Sequence, residues 1–332
     1  MPDRAPDNRW PVLCLVLLVM VGLIVIAWGV NHPTEVDGAP RAVDPSPRVG
    51  EPSPSVVDPV ETPAARPPTG TDALPGGGTK VFAGHRFLVA YYGTGGTGSL
   101  GVLGETDPDT MNRRLHHAAA SFHRPGRPLR YVYELIVTIA DGHPGPGGDY
   151  SHDIARSEVR RYIRAAHRNG ALLLLDLQTG RSTFPEVAKR WEWALRDPWV
   201  GLALDPEWRM GPRQVPAHTV GQVGAGEINR TSLWLARLTK REGLPQKLFV
   251  LHQFRTDMIR DIGRVKQRPE LASVQHVDGF GTPRQKLATY HAVARPQQFT
   301  MGFKLFYDED VRRLRAPGVH AIRPKVRFVS FQ

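Results

Sequence analysis

The sequence predicts an α/β fold: a (β/α)8 TIM-like barrel over residues 80–332, without its last helix, behind an N-terminal transmembrane helix and a Pro-rich linker. Three observations predict it. Eight short apolar runs follow one another after Lys80, each long enough for a strand buried on both faces. Helix-patterned segments separate them. The region is about 250 residues long, the usual size of such a barrel. An open doubly wound sheet alternates in the same way and is the rival architecture.

The strands are expected at HRFLVAYYG (85–93), YVYELIVTIA (131–140), ALLLLDLQ (171–178), VGLALDPE (200–207), KLFVLHQF (247–254), VQHVDGF (274–280), FTMGFKLF (299–306) and VRFVSFQ (326–332). Between the first two, TDPDTMNRRLHHAAASF (106–122) reads as a helix with Asp107 as N-cap and Pro108 in the first turn. HDIARSEVRRYIRAAHRNG (152–170) closes on Gly170, where a helix C-terminus favours glycine. FPEVAKRWEWALRD (184–197) and GEINRTSLWLARLTKREG (226–243) follow. A shorter helix is expected over 255–265, with weaker ones over 284–294 and 307–315. The sequence has no internal repeat.

Ahead of the barrel the texture differs. Residues 11–30, PVLCLVLLVMVGLIVIAWGV, carry no charge and are long enough to span a bilayer core of about 30 Å as a helix. The run is longer than a signal-peptide core, so an uncleaved signal anchor is expected. Arg4 and Arg9 precede the span, which places residues 1–10 in the cytoplasm and the barrel outside the membrane. Residues 31–79 hold 11 Pro and 6 Gly and no Tyr, Trp or Phe, the composition of a disordered linker. Cys14, the one cysteine, lies inside the apolar run, so the barrel can hold neither a disulfide nor a cysteine metal site. The net charge is +11, but only 8 of the 43 basic residues are Lys, and no nucleic-acid motif is present. The charge reads as a solvated surface with some affinity for anionic polymers, and nucleic acid is not an expected partner.

In a barrel of this kind, chemistry collects at the carboxyl ends of the strands. Polar residues recur there: Tyr91 and Tyr92, Glu134, Asp176 and Gln178, Asp205 with Glu207 and Trp208, His252 and Gln253, Asp278, and Lys304. Carboxylates within such apolar runs cost several kcal/mol unless paired or used. Asp205 and Glu207 stand two apart, which on a strand means one face. Neighbouring carboxylates resist joint ionisation, so one pKa rises, as a general acid requires. That pair is the expected catalytic set, and glycoside hydrolysis the expected chemistry. Tyr91, Tyr92, Glu134, Asp176, Gln178, Trp208, His252, Gln253, Asp278 and Lys304 are the expected substrate-binding residues.

GLALDPE resembles the end of the fourth-strand D-G-x-D-x-D-x-E signature of family 18 chitinases. Gly201 matches the glycine, Asp205 the last aspartate and Glu207 the acid, while Val200 and Ala203 replace the first two aspartates. A similar strand-end D-x-E occurs in family 25 lysozymes. The resemblance implies a barrel in which Glu207 is the acid and Asp205 orients an N-acetyl group of the substrate. The region 80–332 is also similar to exported bacterial barrel domains with LDPEW and HQF segments, a likeness that implies no particular activity.

Other motifs are weaker. YYGTGGTGSLGVLG (91–104) contains G-x-G-x-x-G at Gly93, Gly95 and Gly98, but more loop follows instead of a helix, so no dinucleotide cofactor is expected. It reads as a pocket wall, with HPGPGGDYSHD (143–153) as a second one. No G-x-S-x-G is present, nor a His-x-His or HExxH pair for metal. No cofactor or resident metal is expected. The expectation is a monomeric, membrane-anchored, extracytoplasmic glycosidase-like protein acting on cell-envelope glycan. The alternatives are a non-catalytic carbohydrate-binding barrel and a metal-dependent hydrolase of phosphoesters.

Overall fold

Each apolar run becomes a strand because both its faces are covered, one by the barrel interior and one by helices. The strands are β1 (Phe87–Gly93), β2 (Leu129–Ala140), β3 (Leu172–Leu177), β4 (Val200–Leu204), β5 (Lys247–Gln253), β6 (Leu271–Val277), β7 (Thr300–Leu305) and β8 (Val326–Phe331). All eight are parallel and pair in sequence order, and β8 returns to β1 with Ala90 opposite Ser330. The cylinder is therefore closed, which excludes the open doubly wound sheet. A short antiparallel strand, Ser151–Asp153, extends the far end of β2. The computed structural model describes residues 73–332. The apolar run 11–30 and the linker up to residue 72 lie outside the described residues, and no helix among the described residues is long and apolar enough to cross a membrane.

Two apolar layers hold the barrel. Leu88, Ala90, Val132, Leu174, Ala203, Val250, Val274 and Phe328 fill the interior, and a larger cluster joins the outer strand faces to the helices. Two glycines make room. A Cβ on Gly201 would lie 2.4 Å from the Leu248 carbonyl oxygen, and one on Gly302 would lie 2.5 Å from the His276 ring.

Outside stand α1 (Pro108–Ala119), α2 (Arg156–Asn169), α3 (Phe184–Arg190), α4 (Glu192–Leu195), α5 (Ala225–Arg241), α6 (Pro283–Val293) and α7 (Ala316–Ala321). Asp107 caps α1, accepting from the backbone N–H groups of Asp109 and Thr110, and Gly170 ends α2 in the left-handed region at φ 63°. No helix follows β8 among the described residues.

Three expectations are corrected. Residues 255–265 form no α-helix: Ile259–Arg260 pairs with Val223–Gly224, and Asp261 sits at φ 55°, which breaks helical continuity. Residues 307–315 are turns, and the short helix comes at α7 instead. Residues 73–79, assigned to the linker by composition, are part of the barrel floor. Leu74 and Val81 pack into the interior cluster, and buried Arg130 donates to the carbonyls of Pro75 and Val81 at 2.7 Å each.

Candidate active site

The side-chain period of two along each strand sends alternate residues inward. At the carboxyl end of the barrel these inward positions are polar on every strand: Tyr92, Glu134, Asp176, Asp205, His252, His276, Lys304 and Ser330, with Asp278 just above His276. Glu134, Asp176, His252 and His276 are 0% exposed.

His252 is the hub. Its Nδ1 lies 2.7 Å from Asp278 Oδ2, and its Nε2 lies 3.0 Å from Glu134 Oε1 and 3.8 Å from Asp176 Oδ1. The other Asp278 oxygen is 3.0 Å from His276 Nδ1, and His276 Nε2 is 3.2 Å from the Ser330 hydroxyl. An ionised Asp278 can only accept, so His276 donates from Nδ1 and its Nε2 accepts from Ser330. The Lys304 ammonium stands 3.7 Å from Asp278 Oδ2, donates to Gln332 Oε1 at 3.1 Å and lies 3.6 Å from the Tyr92 ring centre. The Tyr92 hydroxyl donates to Asp176 Oδ2 at 2.9 Å. Four buried atoms, both Glu134 oxygens, Asp176 Oδ1 and His252 Nε2, have no partner in good hydrogen-bond geometry.

Burial alone would neutralise every group here, and the pairing decides which resist. It pushes the His252 imidazolium down, but Asp278 and Glu134 outweigh it and hold its pKa well above the usual value. Burial likewise raises Asp278 and Glu134, yet His252 and Lys304 keep Asp278 far below the carboxylate range and His252 keeps Glu134 low. Lys304 stays high, against burial, because Asp278 and Glu134 face it. His276 goes the other way: burial wins and lowers it. Asp176 and Asp205 are both raised by burial first; Glu134 adds to the rise at Asp176, and Asp176 adds to it at Asp205.

Glu207 differs from this floor. The chain leaves β4 at Leu204, and Pro206–Trp208 form a 3-10 turn capped by Asp205, whose Oδ1 accepts from the Glu207 N–H at 3.3 Å. Against expectation, Asp205 and Glu207 therefore do not share a strand face. The Glu207 charge still adds to the rise at Asp205. Asp205 is 4% exposed, whereas Glu207 and Trp208 are half-buried at the rim. Burial, then the Asp278 charge, raises the Glu207 carboxyl to about 7. The turn is fixed from both sides: Gly221 N–H donates to the Glu207 carbonyl at 2.6 Å, and Arg209 pairs with Glu227 at 2.9 Å.

Tyr92, Glu134, Asp176, His252, Asp278 and Lys304 thus meet at one end of the barrel, and Gln178 joins them through the Tyr92 hydroxyl at 3.4 Å. Two expected residues do not. Tyr91 faces outward, its hydroxyl 3.3 Å from that of Tyr307. Gln253 also faces outward, accepting from Gln275 at 2.7 Å. Each sits one residue from an inward neighbour, so strand parity excludes it. His276 and Ser330 escaped the sequence reading; the parity that places Asp278 inward also places His276 there, and Gly302 leaves the room its ring fills.

No family model matches this sequence, and a comparison with curated proteins finds no relative. Among solved structures the chain is similar to a hyperthermophilic endo-beta-1,4-glucanase in complex with substrate. That likeness has 7% identity and a TM-score of 0.33 over 61% of this chain and 77% of the other. The barrel assignment rests on the closed strand pairing described above. Its parts also differ from a dinucleotide site: the Gly-rich loop after β1 runs into a 3-10 turn at Val102–Gly104, and α1 begins only at Pro108.

For metal, His252, His276 and Asp278 present ligand atoms within 4.8 Å of one another. Both histidines already meet Asp278 through Nδ1, and Lys304 stands beside it, so an ion there would displace that pairing.

Proposed function

We propose that this chain is a membrane-anchored, extracytoplasmic glycoside-hydrolase-like protein acting on cell-envelope polysaccharide, with Glu207 as general acid. Residues 11–30 would hold it in the membrane, residues 1–10 would be cytoplasmic, and the barrel would work as a monomer. One observation carries the reading: the Glu207 carboxyl stands half-buried at the rim, where burial and the Asp278 charge raise it to about 7, above a polar array sealed from solvent. A carboxylic acid that keeps its proton near neutrality can protonate a leaving glycosidic oxygen. Asp205, its carboxyl raised by burial below it, would orient the substrate, and Trp208 at the rim would cover a sugar ring.

The experiment is release of reducing ends from purified cell-wall glycan by the full chain in detergent micelles, beside Glu207→Gln, with and without chelator. Release that survives chelation and vanishes in the variant supports the reading. Loss on chelation favours a metal-dependent phosphoester hydrolase, for which the His252, His276 and Asp278 cluster is the supporting observation. Glycan binding without release makes the protein a carbohydrate-binding barrel.

A further inference from the structure

A wide groove lies outside the barrel. It has a volume of about 1110 Å³ and sits against the outer faces of β1 and β8, between α1 and the loop from β7 to α7. Its floor contains Tyr91, Leu305 and Phe331, which lie near the carboxyl ends of their strands, the same end as Glu207. One residue separates it from the buried array: Gln332 accepts from Lys304 with its side chain and from the Tyr307 N–H with its backbone carbonyl.

The walls are basic. Arg113 and Arg114 come from α1, and Arg312, Arg313 and Arg315 from the opposite loop. Arg114 pairs with Glu105; among the described residues the other four have no acidic partner within ion-pair distance. The Arg313 guanidinium carbon lies 4.1 Å from the centre of the Tyr307 ring, a cation–π contact. The loop carrying three of these arginines is pinned from below, because Asp310 accepts from the Phe306 N–H at 3.0 Å and pairs with Lys286 at 2.9 Å. Guanidinium groups without an acidic partner favour planar oxyanions bound two-pronged. A concave groove does not fit the flat face of a bilayer. An extended polymer chain can lie in it.

We propose that this groove is a second glycan site, which binds a carboxylated polysaccharide beside the barrel mouth. The choice of a glycan rests on the functional reading above; the anionic chemistry rests on the arginines alone.

The test is binding, not turnover. The full chain in detergent micelles is titrated with a fluorescent oligogalacturonate and with a neutral cello-oligosaccharide of equal length. The expected result is binding of the acidic oligomer that weakens with added salt, with little binding of the neutral one. Arg312→Gln/Arg313→Gln/Arg315→Gln should weaken it by about tenfold or more, as should Arg113→Gln/Arg114→Gln on the facing wall, both with unchanged thermal melting. Equal binding by the arginine variants, equal binding of the neutral oligomer, or retention only of an acidic peptide or anionic vesicles overturns the proposal. Arginine-dependent binding with no hydrolysis of any glycan would leave the groove standing and remove the hydrolase reading. Hydrolysis with no arginine-dependent binding would do the reverse.

Discussion

At Glu207 burial and the Asp278 charge act in the same direction and raise its carboxyl from 4.5 to about 7. Between those values the folded chain holds a proton that the unfolded chain has released. Stability therefore falls as pH rises through that window, and Glu207→Gln should flatten the slope of the unfolding midpoint against pH. As the general acid, Glu207 works protonated, so kcat/KM should decline above about pH 7, tenfold per pH unit, and Glu207→Gln should cost roughly 10²–10⁴-fold in turnover. At Asp278 the logic is different. It accepts from both buried histidines, and Asp278→Asn removes the charge that keeps His252 ionised. The His252 ring should titrate at lower pH in the variant than in the wild type by NMR, with stability lower by about 3–5 kcal/mol. An unshifted His252 would show that Glu134 alone holds its proton.

The strands carry the site through packing as exact in its demands as the polar array. A methyl on Gly302 would meet the His276 ring at 2.5 Å, so Gly302→Ala should cost about 1–3 kcal/mol in denaturant unfolding. Every barrel strand was legible in the sequence because a run such as Leu172–Leu177 is buried on both faces and has few other uses. Residues 255–265 were not legible as they fold. Met258, Ile259, Ile262 and Val265 have helical spacing and are all buried, but a left-handed Asp261 and pairing with Val223–Gly224 override it. Site residues followed the same division. Parity along a known strand selects Tyr92 over Tyr91 and adds His276 to Asp278. The sequence fails at Glu207, where the strand has already ended and the turn geometry decides where the carboxyl points.

At the scale of the whole molecule the barrel is closed at its base by residues that composition alone assigns to a linker. Leu74 is 2% exposed within the interior cluster, so Leu74→Ala should cost about 2–5 kcal/mol with an unchanged denaturant slope. No loss would mean that the floor is dispensable. With the base sealed by that floor and the central array at 0% exposure, the proposed substrate reaches the chemistry from above, through the rim where Glu207 and Trp208 stand. The most direct measurement is reducing-end release from cell-wall glycan by the full chain beside Glu207→Gln, across pH 5 to 9 with chelator present. The account predicts release by the wild type that declines above about pH 7 and is absent in the variant. Equal release by the two proteins, or none by a folded wild type, would contradict it.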